Sequence, residues 1–182
     1  ILETLENYKK KKNNNIELSG GCKYSENLDQ KIVDYKKRES NLNLRIHNYF
    51  PPPKKDFIIN IGSLNEDIYK KSLKHCLGAI QLSKQIGSNE YSIHAGFLVD
   101  PKKNEIGLGN SIKTKHKFFN KKDSIQRMIN AHEILKKEAG KEVKLYLENN
   151  VISKKNLSMF ENNPLLLTNK ESFEELKKNF NF

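Results

Sequence analysis

Three apolar runs that read as strands each close on polar, chemistry-bearing residues. Leu42 to Ile46 leads into His47-Asn48-Tyr49-Phe50, Glu90 to Ile93 into His94-Ala95-Gly96-Phe97, and Val143 to Leu147 into Glu148-Asn149-Asn150. Helical patterns separate these runs. From Leu64 to Ile86, the residues Tyr69, Leu73, Cys76, Leu77 and Ile80 recur at the 3.6-residue period and form one apolar stripe. Ser63 and Glu66 read as its capping box, and Gly87 sits where a C-terminal glycine belongs. From Ser124 to Ala139 a second helix puts Ile125, Met128, Ile129, His132 and Leu135 on one stripe and stops before Gly140. A short strand, Asn15 to Leu18, breaks at Ser19-Gly20-Gly21 and is followed by a polar helix over Asn27 to Arg38. At the far end, Pro164 to Leu167 reads as a strand or a buried connector, and Glu171 to Lys178 as a helix. Strands and helices alternating at this length predict parallel βα units with right-handed crossovers. Such sheets carry their chemistry at the C-terminal ends of the strands, where the three polar endings fall.

The 182 residues suit one domain of about four or five such units. A closed eight-stranded barrel takes about 250 residues, so the fold class expected is α/β, either a small open sheet or the first part of a barrel. Two connections exceed the usual few residues, Asn48 to Leu64 and Ala95 to about Asp123, and both follow strands. The first is stiffened by Pro51-Pro52-Pro53. The second carries Gly107-Leu108-Gly109 and then Lys113, Lys115, His116 and Lys117, of which the three lysines would meet an anionic group on a substrate.

The charge of +11 raises nucleic acid as a partner, but the basic residues are almost all lysine, scattered along the chain. Only Arg38, Arg45 and Arg127 offer the planar fork that reads phosphates and bases bidentately. Cys22 and Cys76 have no paired spacing, so neither a zinc knuckle nor a disulfide framework is expected and a reducing cytoplasm is the default. No apolar run approaches the roughly 20 residues of a membrane span, and the start is not a signal peptide. Because the first residue is Ile1 rather than Met, the natural start is expected upstream.

Parallel strands in register bring their C-terminal residues onto one rim, so His47, His94 and Glu148 are expected to converge there. Two imidazoles and a carboxylate suit Zn²⁺, Mn²⁺, Co²⁺ or Fe²⁺ with positions left for water or substrate. Glu17, at the end of the first strand, is expected near the same rim. Asn48, Tyr49, Asn60 and Asn149 flank the centre and offer hydrogen bonds to the hydroxyls of a polyol without adding charge. His75 lies off its helix stripe and reads as a solvated residue, His132 as a packed helix residue, and His116 as part of a solvated loop.

The stretch from His47 through Phe57-Ile58-Ile59-Asn60-Ile61-Gly62-Ser63 and the following helix to His94-Ala95-Gly96-Phe97 carries a resemblance. It resembles the second and third βα units of the endonuclease IV and xylose-isomerase-like TIM-barrel superfamily, and Glu148-Asn149 resembles the Glu-Asn pair closing that superfamily's next strand. The resemblance spans roughly residues 15 to 180. It implies a single partial TIM-barrel domain over residues 1–182 with about five strands.

In the endonuclease IV branch the residues matched by His47 and His94 bind zinc, and the one matched by Glu148 bridges two metals. In the sugar isomerase and epimerase branch Glu148 is instead the first ligand of one divalent ion, Mn, Co, Mg or Zn, while positions near His47 and His94 line the substrate pocket. The family's later signatures, an Asp-x-x-His strand end and further His, Asp and Glu ligands, have no counterpart, so the chain is expected to be a fragment that ends before the sixth strand. No general base can be assigned. The function implied is a divalent-metal-dependent isomerase or epimerase acting on a sugar or sugar phosphate. The alternative is a zinc-dependent apurinic/apyrimidinic endonuclease, the one reading in which DNA is the partner. The absence of a clear aromatic wedge and the Pro-Pro-Pro loop stand against that alternative, and the sequence leaves the oligomeric state open.

Overall fold

A computed structural model of the chain describes residues 1–105, 116–158 and 162–178, the side chains of residues 155 and 156 excepted. Its elements, in chain order, are α1 (Leu2–Lys10), β1 (Asn15–Leu18), α2 (Leu28–Arg38), β2 (Asn43–His47), α3 (Glu66–Gln85), β3 (Glu90–His94), α4 (Lys121–Ala139), β4 (Lys144–Glu148), α5 (Lys154–Leu157) and α6 (Lys170–Lys177). The strands form one sheet in the order β1-β2-β3-β4, with β1 parallel to β2 and β2 parallel to β3. The register sets Leu18 beside Ile46 and His47 beside Ser92. Backbone pairing continues past the strand ends, since the Asn48 N–H donates to the Ser92 carbonyl at 2.7 Å and the Ala95 N–H to the Glu148 carbonyl at 2.9 Å.

Side chains alternate across each strand with period two. In β2, Leu44 and Ile46 are buried while Arg45 and His47 are partly open, and in β3 Tyr91 and Ile93 are buried. The polar strand endings therefore lie on the face opposite the apolar one.

The chain forms two compact units. One comprises Ile1–Lys55, His75–Ile93 and Leu135–Tyr146, and its core includes Leu18, Ile32, Tyr35, Ile46, Ile80 and Tyr91. The other comprises Asp56–Lys74, His94–Ile134 and Leu147–Phe182, and it buries Ile61, Tyr69, Val99, Met128, Leu166 and Leu176.

Several sequence expectations are corrected. Among the described residues the sheet has four strands rather than about five. Pro164 to Leu167 is a buried connector that makes one antiparallel bridge, Phe97 to Leu165, because Leu98 and Leu166 exchange backbone hydrogen bonds with Pro164 and Gly96. The expected capping box of α3 is absent. The Ser63 hydroxyl lies 2.8 Å from the Asp100 carboxylate, and Asn65 caps the helix by accepting the N–H groups of Asp67 and Ile68 at 3.0 and 3.3 Å. Helix α4 starts at Lys121, three residues before the expected Ser124, where the Asn120 side chain accepts the Lys122 N–H at 2.9 Å. Helix α1 was not expected. No helix among the described residues is long and apolar enough to cross a membrane.

Candidate metal centre

His47, His94 and Glu148 are the last residues of β2, β3 and β4. His94 Nδ1 is 3.7 Å from Glu148 Oε2, and the two side chains are 42% and 33% exposed. Each of the two offers one ligand atom to a metal ion, and His47 offers another from the end of β2. Bonds of about 2.1 Å to nitrogen or oxygen let two ligand atoms stand at most about 4.2 Å apart. His94 Nδ1 and Glu148 Oε2, at 3.7 Å, stand inside that limit, so these two residues fit a divalent ion.

His47 has its own support. Its Nδ1 is 2.7 Å from Glu17 Oε1. The other oxygen of Glu17 is 3.6 Å from Arg45 Nε, and Arg45 in turn reaches Glu90 at 3.2 Å, the Ser92 hydroxyl at 2.8 Å and the face of the Tyr146 ring at 5.6 Å. These residues follow from strand alternation: Arg45 and His47 are two apart on β2, and Glu17 pairs with Arg45 in the register.

The polar residues expected to flank the centre divide. Asn60 is 1% exposed, and its side chain is engaged by the chain itself. Its Nδ2 donates to the carbonyls of Phe97 and Val99 and to Asp100 Oδ1, and its Oδ1 accepts from the N–H groups of Gly62 and Phe97. It holds the loop after β3 and has no capacity left for a substrate hydroxyl. Gly96 is part of the same packing, since a Cβ there would stand 2.7 Å from Asn60 Oδ1. Asn48 is buried in a left-handed backbone conformation, which asparagine tolerates. Its carbonyl accepts from His75 Nε2 and the Tyr91 hydroxyl, both at 3.2 Å, and its own Oδ1 is buried without a hydrogen-bond partner among the described residues. Tyr49 is half-buried, and Asn149 is exposed beside Glu148.

One residue next to the site had no role assigned from sequence. Asn150 is buried, and its Nδ2 donates to the carbonyls of Ala95, Gly96 and Leu166 at 2.6, 3.1 and 3.0 Å. The only signal for it was its place two residues beyond the strand end.

The other histidines also change roles. His75 is not solvated: burial pushes its pKa below the usual value, partly offset by the Asn48 carbonyl. His116 is 2.8 Å from the carboxylate of Glu105, which is buried and also accepts the Lys102 N–H at 2.7 Å. That pair joins two positions of the connection between β3 and α4. His132 is half-buried on α4, as expected. Gly107-Leu108-Gly109, Lys113 and Lys115 lie outside the described residues, and Lys117 is exposed.

No protein-family model matches the sequence, and no curated protein is similar to it. Solved structures do resemble the fold. A D-tagatose 3-epimerase-like protein superposes with a TM-score of 0.66 at 14% identity, over 100% of this chain and 58% of that one. An L-ribulose 3-epimerase gives 0.60 at 20% identity, over 98% of this chain and 50% of the other. The D-psicose 3-epimerase of Clostridium cellulolyticum H10 gives 0.57 at 14%, over 97% and 53%. The chain thus spans about half the length of the structures it matches. At these identities the likeness is one of fold: parallel βα units arranged as in part of a TIM barrel.

Proposed function

We propose that the chain is part of a divalent-metal-dependent isomerase or epimerase acting on a sugar or sugar phosphate. The observation that carries this reading is the pair His94 and Glu148, 3.7 Å apart at the ends of β3 and β4, with His47 closing β2. Sugar epimerases that share the fold support the substrate class.

The two imidazoles and the carboxylate would hold the ion, Glu148 contributing the negative charge that a doubly positive centre needs. When bound, such an ion polarises a carbonyl and fixes two neighbouring substrate oxygens. The rest falls to the chain. Asn48 Oδ1 offers a buried acceptor, and Tyr49 and Asn149 stand by as contacts for sugar hydroxyls. The uncharged character of these three residues suits a polyol better than a phosphodiester.

Elemental analysis of the purified protein combined with epimerisation assays on ketoses tests the reading. About one divalent ion per chain, and interconversion of ketose epimers that stops on chelation, are expected. Two or three zinc ions per chain with incision of abasic duplex DNA, or no bound metal, would overturn it.

A further inference from the structure

We propose that Glu17 is a positioning residue that fixes the tautomer and orientation of His47, so that Nε2 is the atom His47 presents to the ion. The proposal rests on the metal reading above and adds a residue to it. A neutral imidazole carries one N–H and one lone pair, and a carboxylate can only accept. With Glu17 Oε1 2.7 Å from Nδ1, the hydrogen of the neutral ring sits on Nδ1 and the lone pair is left on Nε2. That geometry is the carboxylate–histidine–metal arrangement, in which the outer carboxylate raises the basicity of the ligand and locks the ring. The Nε2 atom is itself shielded from solvent.

Glu17 is in turn aimed. Arg45 faces its second oxygen, and Arg45 is itself held by Glu90, by Ser92 and by the ring of Tyr146. The Glu17 side chain is 44% exposed, so its ion pairs contribute little to stability. Its role is therefore separable from folding.

The experiment titrates the full chain with cobalt(II) alone, following visible absorption, and reads the His47 tautomer in metal-free protein by long-range ¹H–¹⁵N NMR. Glu17→Ala and Glu17→Gln are compared with the parent, thermal midpoints confirming that each variant folds. The parent is expected to show the Nδ1–H tautomer. In Glu17→Ala the hydrogen moves largely to Nε2 and cobalt affinity falls on the order of 10- to 100-fold. Glu17→Gln, which keeps an acceptor oxygen without the charge, falls between the two. A parent that binds cobalt while Glu17→Ala keeps the same affinity and the same tautomer overturns the role of Glu17 alone. A parent that binds no cobalt overturns the metal reading itself, and with it any role of Glu17 toward a metal.

Discussion

Asn60 and Asn150 lie in the connections after β2 and β4, and His94 and Glu148 close β3 and β4, yet the two pairs treat their polar atoms in opposite ways. The asparagines are buried, and their amides are filled by loop carbonyls and N–H groups. His94 and Glu148 are 42% and 33% exposed and face each other at 3.7 Å, a spacing too long for a good hydrogen bond and suited to two ligands of one ion. A buried, saturated amide shapes the loops, whereas a partly exposed imidazole or carboxylate can be reached by an ion from solvent. The same distinction separates Asn60 from Asn48, whose Oδ1 is buried without a partner among the described residues.

The contrast predicts opposite mutational profiles. The largest effect is expected for Glu148→Ala, which should weaken cobalt(II) binding by well over the roughly 100-fold ceiling of an outer-shell change. Its unfolding free energy in urea should move by no more than about 0.5 kcal/mol, as for an open site. Asn60→Ala is the reverse case. It strands the carbonyls of Phe97 and Val99 and the N–H groups of Gly62 and Phe97, and should cost about 3 kcal/mol in urea unfolding. A stable Asn60→Ala protein that had lost only metal affinity would undo the distinction. Asn150→Ala removes one donor shared by three carbonyls and should cost about 2 kcal/mol by the same measurement.

A smaller effect concerns pH. Burial lowers the pKa of His75 in the folded chain, so the unfolded chain takes up a proton first as the medium is acidified. The stability tied to a neutral His75 is present above the unfolded value of about 6.5 and is lost as pH falls below it. His75→Gln should flatten that part of the stability profile, measured by thermal midpoints across the range; an unchanged slope would mean that His75 is not buried as described. The smallest effect is chemical. Cys76 is fully buried and its thiol is pushed up to about 12, whereas Cys22 is only half-buried, so a thiol reagent should modify Cys22 first and leave Cys76 until the protein unfolds.

Much of the frame was legible because it depends on local pattern. The apolar runs of β2, β3 and β4 and the polar residues closing them were visible in the order of residues, and the placement of His47, His94 and Glu148 at strand ends followed from them. Features decided by distant partners were not. Ser63 and Glu66 spell a capping box, but the Ser63 hydroxyl is drawn to Asp100, 37 residues on, and Asn65 takes over the cap. Asn60 offers the same amide as Asn149, and only burial against the loop after β3 reveals that its hydrogen bonds are used. The pairing of His116 with Glu105 joins residues on a loop without periodicity, so no spacing rule marks it. Pro164 to Leu167 has the composition of a strand, yet its backbone groups pair with the loop at Gly96 and Leu98 rather than with the sheet.

An anomalous-scattering map from crystals soaked in manganese(II) would address the metal centre at atomic level. One peak in bonding contact with His47, His94 and Glu148 together, Glu17 still on Nδ1 of His47, is the predicted result. A peak seated elsewhere, or none at those three side chains, would contradict the assignment of the rim as a metal site.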